Sequence, residues 1–524
     1  MRNPFTALKK VARRLAKIRA DFALGKITQR QTRKAVRTAV KPLAQFHPQT
    51  VIRSLGNGDN FYLADALTGV CVFGATGSGK TSGPAKHLAF GYLSNKFGGL
   101  VLCAKPEERR QWEKWAAECG RTADLVIVNA EGDWRFNFMD WEASRPEEGG
   151  GLGINIVNML DEIAAAISGN TEGGGGNSKF WEDALHHLLT NLVDLVLLAG
   201  AKLSLPLLRS ILTSAATSLE QVFDPAWQEH SACAKALDAA EKLCLDGETQ
   251  KRSDYEQCRD YWLMEFPGLN EKTRSIITLT FSMLMQPLTT RPLRKIFTTD
   301  TNIKPEDAFD GKIIIVDLPV QEFRLVGRIA NLAFKYCFQI AVLRRVQPAD
   351  RKSFLRPVFL WGDEMQNYIS RFDSEFVAVC RSAGCCTVYL TQNRESFRRA
   401  LKNNDAVDSL LGNLACKIFC SNAGDTNDYA SRLLGDRWLN ITSTSVGQSQ
   451  RDMMQQQQNA GNHTSGVSRA EQRRPYVEIS RFTTLKRGGA LNNFQVEAIV
   501  YNGGNLFFNG REWLPYKLVT YNQL

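Results

Sequence analysis

Gly74-Ala75-Thr76-Gly77-Ser78-Gly79-Lys80-Thr81 follows the apolar run 70–73 and fits the pattern GxxxxGK[ST]. The glycines let successive backbone N–H groups converge on phosphate oxygens, and a following helix adds the positive end of its dipole. In such a loop Lys80 reaches the β- and γ-phosphates and the Thr81 hydroxyl ligates Mg2+. A phosphate cradle needs an acidic partner on another strand. Asp363 and Glu364 close the apolar run "PVFLW". Asp363 is the candidate for the Mg2+ shell, and Glu364 for orienting or deprotonating an attacking water. The adjacent pair favours hydrolysis over transfer to a small acceptor. Asp317, at the end of "KIIIVDL", competes for the role, but it lacks a second acid and Pro319 turns the chain away.

Gln392 ends the run "TVYLTQ", where a polar side chain either senses a γ-phosphate or caps the next helix. Arg381, in "VCRSAG", is read either as an arginine finger acting in trans within an oligomer or as a solvated arginine. No NKxD guanine-specificity motif is present, so ATP is expected rather than GTP.

The elements that must position these residues read as α/β. Short apolar strands are expected at 70–73, 98–104, 123–130, 312–318, 357–364, 385–392 and 416–421, with helical stretches such as 107–118 between them. Residues 154–290 have helical periodicity and little strand character. "KFWEDALHHLLTNLVDLVLLA" and "TRSIITLTFSMLMQPL" each read as one helix. An all-helical part therefore interrupts the α/β unit. Glycine-rich stretches at 147–153 and 172–178 read as loops. The polar stretch 440–475, with "MMQQQQNAGN", reads as disordered or as a long loop. "FQVEAIVYNGG" and "NLFFNG" are strand-like.

A chain of 524 residues exceeds one ordinary core. The expected organisation is a basic segment 1–50, a first nucleotide-binding part 51–150, a helical insertion 151–295 and a second nucleotide-binding part 296–524. Residues 1–50 hold 13 Lys/Arg and one acid, Asp21, so they carry +12 of the net +11 and the other 474 residues sum to −1. Leu8, Val11, Leu15, Ile18 and Phe22 form an apolar stripe beneath that charge, and a second helix is expected over 28–44. Such a segment suits DNA, an anionic membrane surface or a partner helix, or packs as a basic hairpin on the body. The 12 cysteines show no metal spacing and suggest a reducing compartment. The run 188–201 contains Asn191 and Asp194 and is short for a membrane span. A cytoplasmic location in a bacterium is expected, with peripheral inner-membrane contact through 1–50 as an option.

In order along the chain, "VFGATGSGKT", "GGLVLCAKPEE", "RFNFMDW", "FWEDALHHLL", "VFLWGDEMQNY", "VCRSAGCCTVYLTQNRESF", "LACKIFCSNAGDTNDYASRLLGD" and "RFTTLKRGGALNNF" resemble the type IV secretion coupling proteins of the TraG/TraD kind. The resemblance covers roughly 50–510. It implies a RecA-like P-loop NTPase domain with an inserted all-α domain that recognises substrate complexes. It also implies assembly as a homo-hexamer and an ATP- and Mg2+-dependent motor. Such a motor drives single-stranded DNA with its attached relaxase toward a secretion channel. By the same resemblance Lys80, Thr81, Asp363, Glu364 and Gln392 carry the ATPase. Family members usually have N-terminal transmembrane helices, where this chain has its basic segment. They often have Asp near the end of the second strand, where this chain has Cys103-Ala104. Two other readings are a nucleotide-gated recruitment adaptor working through 154–290 and a duplex-DNA translocase of the FtsK/HerA kind.

Overall fold

The computed structural model describes residues 46–145, 149–168, 177–245, 249–346, 355–447 and 464–523. The expected helices of the first 44 residues and the stretch 448–463 lie outside them, as do 147–148 and 172–176 of the two glycine-rich stretches.

Strands β1 (Val51–Gly56) and β2 (Asp59–Tyr62) form a small hairpin ahead of the main sheet. The sheet is built from β3 (Val70–Phe73), β4 (Gly98–Leu102), β5 (Leu125–Asn129), β6 (Ile313–Asp317), β7 (Val358–Gly362), β8 (Cys385–Thr391) and β9 (Cys416–Phe419). Every residue of β3, β4, β7, β8 and β9 is buried. Helices cover both faces of such a sheet, which is why these strands read as unbroken apolar runs and why they pair in parallel. A long ribbon, β10 (Asp436–Gly447) with β11 (Thr464–Pro475), follows. Then come β12 (Gln495–Asn502), the short pair β13 (Phe507–Phe508) and β14 (Trp513–Leu514), and β15 (Tyr516–Asn522).

The nine-stranded order is β15-β12-β9-β3-β8-β7-β4-β6-β5. From β9 to β5 all pairings are parallel, while β12 runs antiparallel to β9 and β15 antiparallel to β12. The ribbon corrects the reading of 440–475 as disordered or loop: residues 440–447 and 464–475 are strand, in continuous register from Asp436↔Pro475 to Gly447↔Thr464. Its few apolar residues, such as Trp438 on one face and Leu439 and Ile441 on the other, are not sorted to one face, so the alternation that announces a half-buried strand is missing.

Between β5 and β6 the chain is helical. Gly153–Ser168, Asn177–Leu198, Ala232–Leu245, Thr249–Asp260 and Glu271–Thr289 are the longer helices. One apolar cluster runs from one face of the sheet (Leu100, Leu102, Val126, Val128, Ile314, Val316) through helix Val320–Leu343 into these helices. The segment 135–141 stitches the helical part to the sheet. Phe136 N–H donates to Ile296 O at 2.7 Å. The buried Asn137 caps helix Phe138–Ala143 and donates to Leu203 O at 2.9 Å. None of the described helices is long and apolar enough to cross a membrane.

Candidate functional site

Strand order places the chemistry. All parallel strands expose their C-terminal ends on one edge, and the loop after β3 lies there together with the ends of β4, β7 and β8. A cavity of about 590 Å3 opens at this edge. Its walls include the whole of 75–82 together with Lys105, Gln321, Glu364, Gln366 and Gln392.

The loop itself is shaped by glycine. Gly77 and Gly79 have φ of +72° and +79°, the left-handed region that side chains with a Cβ avoid. A Cβ on Gly79 would lie 2.4 Å from Val496 Cγ2 and 3.0 Å from Arg487 O, so the loop rests against the segment leading into β12. Arg487 Nε donates to Ser421 Oγ at 2.9 Å. Near the C-terminus, Gln523 Nε2 donates to Ser82 Oγ at 2.6 Å, and Lys86 Nζ donates to Gln523 O at 2.9 Å. The helix after the loop starts irregularly at Thr81–Ala85. Gly83 departs from helical dihedrals and Pro84 has no N–H to give.

β8 lies between the strand that feeds the loop and the strand that carries the acids. That spacing sets Asp363 and Glu364 across the cavity from the loop. Thr81 Oγ1 donates to Asp363 Oδ2 at 2.7 Å, and Lys80 Nζ lies 3.1 Å from Glu364 Oε1. A second cation, Lys105, reaches the same Oε1 at 3.1 Å from the end of β4. Gln366 Nε2 donates to Glu364 Oε2 at 2.8 Å, and the Glu364 N–H donates to Asp363 Oδ1 at 2.9 Å. Glu364 holds φ +52°, ψ +48°, a left-handed conformation that a non-glycine residue keeps only where its surroundings enforce it.

Charge at this centre is tightly balanced. Burial alone would raise the Glu364 pKa. The Lys80 ammonium, the Gln366 amide and Lys105 outweigh burial and bring it down to about 2. Burial works against the Lys105 ammonium, but Asp363 and Glu364 lift its pKa above the usual lysine value. In this state Glu364 is fully ionised and a weak base, because Lys80 neutralises it.

The structure brings together the loop residues 74–81, Asp363, Glu364 and Gln392. It separates the other two candidates from them. Asp317 lies on β6, two strands beyond β7, and its Oδ2 accepts from Arg109 Nη1 at 3.1 Å. Arg381 is exposed in the turn before β8, at the opposite end of that strand from the cavity of its own chain. Two groups escaped sequence reasoning. Lys105 could have been found by the criterion that found Asp363, a polar residue just past an apolar strand. Gln366 has no such signal, since it depends on the turn that follows Glu364.

The oxygen pair Thr81 Oγ1 and Asp363 Oδ2 fits Mg2+, which takes few protein ligands and completes its shell with water and phosphate.

Comparison with known proteins adds a family match over one segment, and the fold. Residues 357–487 match the family described as the TraM recognition site of TraD and TraG. No curated protein matches the chain by sequence. Among solved structures, the unbound bacterial conjugative coupling protein TrwBΔN70 superposes with a TM-score of 0.54 at 14% identity, covering 93% of this chain and 91% of that one. Plasmid coupling protein TrwB in complex with ADP and Mg2+ gives 0.53 at 14% identity, covering 95% and 93%. TrwB with the non-hydrolysable ATP analogue ADPNP gives 0.52, with the same identity and coverage. At that identity the structures establish the fold, a RecA-like P-loop domain with an all-α part. The resemblance to TraG/TraD coupling proteins thus holds at two levels: by family over 357–487 and by fold along nearly the whole chain.

Proposed function

We propose that this chain is an ATP-hydrolysing motor of the conjugative coupling type, which moves single-stranded DNA with its relaxase toward a type IV secretion channel. The observation that carries the reading is the meeting of Lys80 and Thr81 with Asp363 and Glu364 across one cavity. The matches to TraG/TraD segments and to TrwB support the conjugative context.

The residues divide the work as follows. In the structure described here Lys80 is held by Glu364. Triphosphate entering the loop competes for the Lys80 ammonium and draws it to the β- and γ-oxygens. Glu364 then loses its strongest partner, its pKa rises, and it becomes able to hold and deprotonate a water. Lys105 and Gln366 keep its two oxygens aimed while Lys80 is away. Thr81 and Asp363 would hold Mg2+, which when bound neutralises charge on the phosphates. Gln392, on the cavity wall, is the sensor of the γ-phosphate. Arg381 is proposed to act only in trans, from a neighbouring subunit of a ring. The loop residues 74–79 supply backbone N–H groups to the phosphates.

Hydrolysis is tested with purified full chain. Wild type should turn over ATP, and Lys80→Ala and Glu364→Gln should not. Equal turnover in all three would overturn the reading. TrwB is described with both ATP and GTP analogues, so GTP belongs in the same assay, and ATP is expected to be preferred.

A further inference from the structure

β9 carries a lysine in the middle of the sheet. Lys417 is only 3% exposed and sits between neighbours β3 and β12. No carboxylate pairs with it among the described residues. Its register partners are Cys71 on β3 and Tyr501 on β12, and the thiol of Cys416 precedes it on the strand. Burial pushes the pKa of both thiols well up, that of Cys416 to about 12, so neither offers a negative charge. Burial also lowers the pKa of Lys417 itself. An ammonium placed this way costs several kcal/mol unless an anion meets it.

The space for an anion is present. Lys417 lines an open cavity of about 390 Å3 beside β9, β12 and helices Arg394–Leu401, Asn404–Asn413 and Asp425–Leu434. None of its lining residues belongs to the nucleotide cavity. Arg394 lines it too. One edge of its guanidinium pairs with the exposed Asp408, and its plane lies 5.0 Å over the Tyr429 ring. Its buried Nε has no hydrogen-bond partner among the described residues. Asp408 therefore balances Arg394 and leaves Lys417 unmatched. Tyr429 and Tyr501 supply aromatic walls. Gly503 lies at the rim, its N–H donating to Ala415 O at 3.1 Å.

We propose that this cavity is a second binding site, for a phosphate ester of mononucleotide size. Lys417 meets the phosphate with the Arg394 guanidinium beside it, and Tyr429 and Tyr501 line the space for the ring. Cations interleaved with aromatics are the combination that binds nucleotide units without reading sequence. The ligand is either a free mononucleotide or one nucleotide of a single strand. Arg394 lies two residues beyond Gln392, whose carbonyl accepts from Asn422 Nδ2 at 2.7 Å. An occupant would thus touch the chain beside the γ-phosphate sensor.

The test is equilibrium binding of AMP, inorganic phosphate and a five-residue oligo-dT to full chain in a Lys80→Ala background, which disables the first cavity. One saturable equivalent of AMP or of oligo-dT is expected, weakened at least tenfold by Lys417→Met and also by Tyr501→Leu. AMP alone identifies a free nucleotide, and oligo-dT alone identifies a strand. Lys417→Met should melt cooperatively at or above the wild-type temperature, because it removes an unmatched buried charge, so its loss of binding is not unfolding. Absence of both ligands, their retention in the Lys80→Ala/Lys417→Met double variant, or phosphate binding as tightly as AMP would each overturn the proposal. A second AMP equivalent that survives Lys80→Ala would instead count against the proposed role of the first cavity.

Discussion

Glu364 sits at the centre of the charge balance in the nucleotide cavity. Two lysines, one amide and a left-handed backbone fix it across from the phosphate loop. Glu364→Gln keeps the size and removes the charge. Turnover should fall by about 10^2- to 10^4-fold, the usual weight of a general base, while equilibrium binding of ATP persists. A fall in binding equal to the fall in turnover would mean that Glu364 holds the loop rather than the water. Its low pKa also sets a pH dependence. The group is ionised in the fold down to about pH 2 and protonates near 4.5 in the unfolded chain. Its stabilisation is therefore complete above about pH 4.5 and is lost as pH falls through that value toward 2. Denaturant titrations of wild type and Glu364→Gln should differ most at pH 6, less at pH 3, and converge only as pH approaches 2.

At the scale of elements, the seven parallel strands were legible because both faces of each are covered. Val70–Phe73 and Val358–Gly362 are apolar at every position except the closing Gly362, and the chemistry begins where the apolar run stops. The candidate site was legible for the same reason, since Lys80, Asp363, Glu364 and Gln392 all follow such runs. What stayed hidden depends on distant partners. Val496, Arg487 and Gln523 brace the phosphate loop from more than 400 positions away, and no local pattern announces that. The ribbon β10–β11 was missed because its few apolar residues, such as Trp438, Leu439 and Val467, are exposed and not sorted to one face. A second hidden element is the ion pair of Lys335 with Asp373, both fully buried. Asp373 also accepts from Tyr389 Oη at 2.7 Å and Gln339 Nε2 at 2.9 Å. It thereby ties helix Val320–Leu343 and β8 to the segment after Glu364. Asp373→Ala strands Lys335 in the interior and should cost about 3–5 kcal/mol in denaturant unfolding. A loss below 1 kcal/mol would show that the network can rearrange.

For the whole molecule, charge is segregated: +12 in residues 1–50 against −1 in the rest. Removing residues 1–45 should leave basal ATP hydrolysis unchanged and weaken association with DNA or with anionic vesicles. In the full chain that association should fall steeply with salt, because phosphate contacts release counterions. Binding that ignores salt would point to apolar docking through Leu8, Val11, Leu15, Ile18 and Phe22. The helical part shares one apolar cluster with the sheet, the contact through which a movement of the nucleotide-binding part would reach the helices proposed to meet substrate.

The central claim is that the cavity between residues 74–81 and Glu364 powers movement on DNA. It is tested most directly by the rate of ATP hydrolysis with and without single-stranded DNA, in wild type and in Lys80→Ala. Single-stranded DNA should accelerate hydrolysis, and neither the basal nor the accelerated rate should survive Lys80→Ala. A wild-type rate no higher than that of Lys80→Ala, with or without DNA, would contradict it.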